Sequence, residues 1–152
     1  NAANTTLLGG GGVDGAIHKA AGPKLLKECK KLGGCETGEA KITKAYKLPS
    51  KYVIHTPGPK WTGGQDNERQ LLSNSYLNCL KLAEEYDIET IAFPSISTGV
   101  YGFPVEIASR IAVRTIVEYN KTESPVKKIC IVCFDETTKS YYDKAIEELF
   151  LL

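Results

Sequence analysis

Asn4 and Asp14 flank a run of four glycines, Gly9 to Gly12, close to the start of the chain. Glycines in succession lose much conformational freedom on folding, so they point to backbone that takes positive φ or lets a ligand approach closely. A helical pattern begins at once with Val13. The loop therefore delivers unpaired amide donors and the positive end of a helix dipole to one place, an anion site built from backbone. Gly10, Gly11, Gly12 and Val13 are its candidate contacts, and a flexible turn is the alternative. Asp14 falls in the first helical turn, where a carboxylate is favoured by roughly 0.3 to 1 kcal/mol. It is suited to accept hydrogen bonds from sugar hydroxyls or a water, and capping the helix is its plainer role. His18, one turn on, either orients Asp14 or packs as a core histidine, the second being preferred. His55 sits in an apolar strand and is expected to be structural.

A second candidate site lies at residues 93–104, FPSISTGVYGFP. A strand ends, a small polar loop follows and a strong helix begins, which is where ligands settle in open α/β sheets. Ser95, Ser97, Thr98, Gly99, Val100, Tyr101 and Gly102 are the candidate contacts. Tyr101 and Phe103 could each wall a sugar or pack inside. Neither loop contains Lys or Arg, so negative charge would be met by amides and hydroxyls, and binding should depend weakly on salt. Gly10-x-Gly12-x-x-Gly15 also satisfies the dinucleotide fingerprint, but no hydrophobic strand of the required kind precedes it in residues 1–8. The phosphate loop ending in Gly-Lys-Ser/Thr is absent, which speaks against magnesium-dependent triphosphate hydrolysis.

These loops need a sheet to hold them. Strand-like runs fall at residues 52–56, 88–94 and 128–134, with a weaker one at 39–46. Helical periods fall at 13–21, 24–32, 68–86, 105–119 and 139–150. The alternation indicates an α/β domain with helices on both faces of a largely parallel sheet. At 152 residues, with 42% hydrophobic and 24% charged, the chain has the length and composition of one globular domain. Nineteen basic against eighteen acidic residues give a net charge of +1, too little for a global field that recruits nucleic acid or an anionic membrane. The lysines at 24, 27, 30 and 31 are expected to be a solvated helix face. The five cysteines are odd in number and irregularly spaced, as for free thiols in a reducing compartment, so a cytoplasmic location is expected. Cys130 and Cys133 lie three apart on a strand, on opposite faces, and are expected to be buried structural thiols rather than metal ligands.

The blocks NAAN at the start, LLGGGGVDGAIHKAAGP at 7–23, TGEAKIT at 37–43, YVIHTPGPKW at 52–61 and FPSISTGVYGFP at 93–104 together resemble the macro domain family. The resemblance is to its MacroD-like ADP-ribosylhydrolase branch and covers nearly the whole chain. It implies a three-layer α/β/α sandwich around a mixed, largely parallel sheet, and ADP-ribose as ligand. By this resemblance Asn4 and Asp14 are catalytic, Asn4 holding the distal ribose and Asp14 binding ribose and positioning a water. Val100 and Tyr101 would shape the sugar pocket, and Phe134 would pack on the adenine. The family usually has a strand before NAAN and an upstream acidic residue that reads the adenine. The expectation is therefore a single macro domain over residues 1–152 whose N-terminal strands are missing, in a natural protein that extends further upstream.

The activity so implied is hydrolysis of ADP-ribose esters on acidic protein side chains and of O-acetyl-ADP-ribose, with no metal or cofactor required. ADP-ribose and ADP-ribosylated proteins are the expected partners. No membrane or nucleic acid partner and no oligomer are expected. The rival readings are a non-catalytic ADP-ribose reader, an RNA-associated regulatory scaffold and a dinucleotide oxidoreductase.

Overall fold

The computed structural model describes residues 1–151. Among these residues five strands and five helices follow one another as β1 (Ala2–Ala3), α1 (Gly12–Ala21), α2 (Pro23–Leu32), β2 (Lys41–Lys44), β3 (Tyr52–Pro57), α3 (Glu68–Glu85), β4 (Thr90–Pro94), α4 (Val105–Asn120), β5 (Lys128–Val132) and α5 (Glu136–Phe150). β1 runs parallel to β3, β2 antiparallel to β3, and β4 parallel to β5. The sheet is thus mixed and largely parallel as expected. Its strands form two ladders, β1-β3-β2 and β4-β5, rather than one continuous sheet, because the two-residue β1 hydrogen-bonds to β3 alone.

Neighbouring residues of a strand point to opposite faces, and β1 shows where the layers lie. Ala2 packs against a large apolar cluster built by Leu72, Tyr76 and Leu80 of α3, Ala108 and Ala112 of α4 and Tyr142 of α5. Ala3 packs into a smaller cluster with Leu7, Ala21, Leu25 and Cys29, under α1 and α2. Each fully buried Leu contributes roughly 1.5 to 3 kcal/mol of transfer free energy, and Leu72 and Leu80 lie in the large cluster, Leu7 and Leu25 in the smaller one.

Helices pack on both faces of β1-β3-β2. In β4-β5, Ile91, Phe93, Ile129 and Ile131 face the large cluster, whereas Ala92, Cys130 and Val132 alternate with them onto an exposed face. Cys130 is accordingly exposed and Cys133 half-buried, which corrects their expected burial; Cys29, Cys35 and Cys79 are buried. No helix among the described residues is long and apolar enough to cross a membrane.

The connection from β3 to α3 is organised by a buried carboxylate. Glu68 accepts the amides of Thr62 (2.9 Å), Gly64 (2.8 Å) and Asp66 (2.6 Å). Burial alone would raise this carboxyl, but the amides hold it down at about 2. A depressed carboxyl stabilises the fold above its unfolded pKa and loses that contribution as pH falls through the folded value. Glu68→Gln is therefore expected to lower Tm by several degrees at pH 7, with the gap to wild type closing as pH falls from about 4.5 toward 2. Thermal melts across that window check it, and a gap independent of pH would contradict it.

Candidate active site

The uncovered face of β4-β5 is the floor of a cleft of about 920 Å³, reached by Ala92 and Val132. One wall is the glycine loop with the first turn of α1; the other is the loop from β4 to α4. Both sequence-predicted loops therefore meet in one place.

On the first wall the chain leaves β1, turns at Leu7 (φ 60°) and runs through Gly9 (φ 89°) to Gly12 (φ 58°), so positive φ recurs along the stretch. Gly10, Gly11, Gly12 and Val13 line the cleft. Among the described residues no acceptor of the chain takes the amides of residues 9–14, the open donors that the start of a helix leaves. The Asn4 side chain ties the loop down: Nδ2 donates to Gly9 O (2.9 Å), and Oδ1 accepts from the Thr6 hydroxyl (2.7 Å). An amide nitrogen carries two hydrogens, which leaves one for a ligand. A Cβ at Gly10 would lie 3.3 Å from Asp14 Oδ2 and 3.4 Å from Asn4 Nδ2. Asn4 and Asp14 thus converge across Gly10.

Asp14 is only 5% exposed. Its Oδ1 accepts from Asn1 Nδ2 at 2.8 Å and lies 3.4 Å from His18 Nε2. Behind them, Asn1 Nδ2 is 3.2 Å from His55 Nδ1, and His55 Nε2 is 2.9 Å from Thr43 Oγ1. Burial pushes His55 down to about 3, so the ring is neutral near pH 7. With Nδ1 facing a donor, the proton belongs on Nε2, directed at Thr43. His18 thus sits beside Asp14 rather than serving as a core residue, against the preferred reading. Asn1 and His55 support Asp14 from behind, a role no local pattern marked.

On the second wall Tyr76 fixes the root of the loop, donating to Pro94 O (3.3 Å) and accepting the Ile96 amide (3.2 Å). Ser95 Oγ is 2.7 Å from Tyr142 OH and accepts from Thr98 Oγ1 at 2.7 Å. Ser97 takes φ 68°, and its hydroxyl is buried without a partner. Gly58 makes this close approach possible, since a Cβ there would fall 2.5 Å from Ile96 Cγ2. Gly99, Val100 and Tyr101 carry amides with no acceptor in the chain among the described residues. Val100 is fully exposed and Tyr101 half-buried. Gly102, with φ 69°, closes the turn by donating to Gly99 O. The choice left open for Tyr101 and Phe103 resolves by position: Tyr101 lines the cleft, while Phe103 is buried with its ring 4.7 Å from that of Trp61. Phe134 stands almost wholly exposed where β5 leads into α5, at the cleft edge. Among the described residues no Lys or Arg lines the cleft, and no group of three or more His, Cys, Asp or Glu is placed to share a metal ion.

This arrangement matches a known family. The family model described as Macro domain matches residues 1–112. The chain belongs to the macro domain family. A macro domain-containing protein of Lactiplantibacillus plantarum is 60% identical over 150 residues, covering 98% of this chain and 87% of the relative. A protein of Escherichia fergusonii named O-acetyl-ADP-ribose deacetylase is 51% identical over 152 residues, covering 97% and 86%. Among solved structures, a mutant macrodomain of Oceanobacillus iheyensis with ADPR superposes with a TM-score of 0.95 at 44% identity, over all of this chain and 85% of that one.

In this macro domain the network behind Asp14 is the part that motif reading missed. A local signal existed for His18 alone, which stands four residues after Asp14 and so on the same face of α1. Asn1 and His55 meet only because β1 pairs with β3, with Ala2 opposite Thr56.

Proposed function

We propose that this macro domain binds ADP-ribose and hydrolyses esters that join it to acidic protein side chains, and that it deacetylates O-acetyl-ADP-ribose. The observation that carries the reading is the convergence of the buried Asp14 and of Asn4 on Gly10, in a cleft walled by two loops of open amides. The diphosphate spans those amides. Ser97 adds the unpartnered hydroxyl, Tyr101 and Val100 flank the sugar, and Phe134 offers a face to the adenine. The distal ribose lies against Asn4 and Asp14.

In that pose a water between Asp14 and the ester is activated jointly by Asp14 and a phosphate oxygen of the ligand, which share the proton it loses. Its oxygen bonds to the acyl carbon, the bond from that carbon to the ribose oxygen breaks, and the ribose oxygen takes up a proton. A carboxylic acid and ADP-ribose result. Asn1 and His18 keep Asp14 in one orientation, and the glycine loop holds the ribose in reach, so positioning supplies much of the rate.

The test of the binding half is a titration with ADP-ribose and with NAD at two salt concentrations. ADP-ribose is expected to bind more tightly than NAD, with a Kd that changes less than about threefold between 0.05 and 0.5 M salt, because no Lys or Arg lines the cleft. A preference for NAD, or a steep salt dependence, would overturn it.

A further inference from the structure

The net charge of +1 hides a partition. Residues 1–60 carry ten lysines and four acidic residues, a net +6; residues 61–152 carry nine basic and fourteen acidic residues, a net −5. Most of those ten lysines lie on or next to three elements that pack together, α1, α2 and β2. Lys24, Lys27 and Lys31 follow each other at helical spacing along α2, and α2 packs on α1 and β2. Lys19 closes α1, Lys44 ends β2, and the Lys47 stem lies against Gly22, where a Cβ would meet it at 3.4 Å. All six are exposed. None of them lies within salt-bridge distance of a carboxylate among the described residues, whereas every Lys or Arg ion pair found lies between residues 106 and 148. The one acidic side chain in α2, Glu28, is occupied by the Lys44 amide and the Tyr46 hydroxyl.

α1 joins this face to the cleft. Its first turn carries Asp14 and its last carries Lys19, about 8 Å further along the axis at 1.5 Å per residue. Resting on the function proposed above, we infer that the lysine face of α1, α2 and β2 docks the acidic polypeptide segment that flanks the ADP-ribosylated carboxylate of a target protein. The modified side chain enters at the distal-ribose end of the cleft, beside Asp14. A few extended residues at about 3.3 Å each then reach the lysines. Unpaired lysines suit this occupant, being point charges that hold carboxylates without fixed geometry. A nucleic acid is the lesser fit. The face has no Arg, and its exposed aromatic, Tyr46, has its hydroxyl bound to Glu28, where stacking platforms interleaved with Arg would be wanted.

The test compares two peptides that carry the same mono-ADP-ribosyl glutamate, one flanked by Glu and Asp, the other by Ser and Gly. The readout is kcat/KM or, should neither peptide be turned over, the Kd of the same two peptides. O-acetyl-ADP-ribose is the substrate that cannot reach the face. The acidic peptide is expected to be favoured by about tenfold at low salt, falling toward parity at 0.5 M. Lys24→Gln/Lys27→Gln/Lys31→Gln should erase the preference, and Lys24→Glu/Lys27→Glu/Lys31→Glu should reverse it. Turnover of O-acetyl-ADP-ribose should stay within about twofold in both variants, since charges beyond a Debye length are screened. Equal handling of the two peptides at all salts would overturn the inference. So would tighter binding of a single-stranded RNA oligonucleotide than of the acidic peptide, sensitive to the same substitutions. Loss of turnover on all three substrates with the peptide preference kept in Kd would instead overturn the hydrolase reading alone.

Discussion

Asp14→Ala is expected to slow ester hydrolysis by about 100- to 10,000-fold, the range set by loss of a positioned acid or base group, while ADP-ribose stays bound. Binding survives because the diphosphate is held by the amides of both loops, which the substitution leaves in place. Turnover does not, because Asp14 is the one carboxylate that faces Gly10 from the first turn of α1. The variant also removes the acceptor of Asn1 Nδ2 and the carboxylate beside His18 Nε2. Leaving a buried donor unpaired costs about 1 to 3 kcal/mol, so part of the effect could be attributed to a disturbed fold. Asp14→Asn separates the two. Its carbonyl oxygen still accepts from Asn1, but it carries no charge to draw a proton from water. Both variants should therefore be slow, and Asp14→Asn should melt closer to wild type. Single-turnover hydrolysis of O-acetyl-ADP-ribose, beside ADP-ribose titration and thermal melts, checks this. A variant that binds ADP-ribose and keeps the full deacylation rate would contradict the role given to Asp14.

Gly15→Ala is expected to weaken ADP-ribose binding by about 10- to 100-fold, or roughly 1.4 to 2.7 kcal/mol. The new Cβ would fall 2.5 Å from the Gly10 carbonyl oxygen, a backbone atom that cannot rotate aside. The loop must move, and the amides of Gly10 to Val13 move with it. The sign of the stability change is separable from this. Gly15 lies inside α1, where alanine is preferred over glycine by about 1 kcal/mol, so the helix gains what the clash removes. Affinity should fall while Tm changes by a few degrees at most. An unchanged Kd would show that the position of the Gly10 carbonyl does not govern the site.

How much of this was legible beforehand depended on whether the signal was local. The glycine loop and α1 could be read because open amides and a helical period follow each other within ten residues. The same held for the β4 to α4 loop, where Pro104 caps a long apolar stripe. α5 starts three residues ahead of the helical period at 139–150. Asp135, accepting from the Thr138 amide, caps it at Glu136 and ends β5 at Val132, so Phe134 stands in a connection and not in a strand. The cap pattern was present, but the apolar run into Phe134 masked it. Partners far apart in sequence were not legible. The contact of Asn1 with His55 needs strand pairing, and the exposure of Cys130 follows from the open face of β4-β5 that it shares with Ala92 and Val132. Tyr101 and Phe103 have similar chemistry and adjacent positions, and their different roles follow only from the path of the loop over Trp61. The lysine row in α2 could be read as a helix face, but its union with Lys19, Lys44 and Lys47 required the packing of α1, α2 and β2.

The most direct test of the account is to incubate the protein with a protein substrate mono-ADP-ribosylated on glutamate and to follow free ADP-ribose, alongside Asp14→Asn. The wild-type protein is expected to release ADP-ribose and leave an unmodified glutamate, with release by Asp14→Asn reduced at least about 100-fold. Tight binding of the modified protein with no ADP-ribose released would contradict it and leave a reader of the modification in its place.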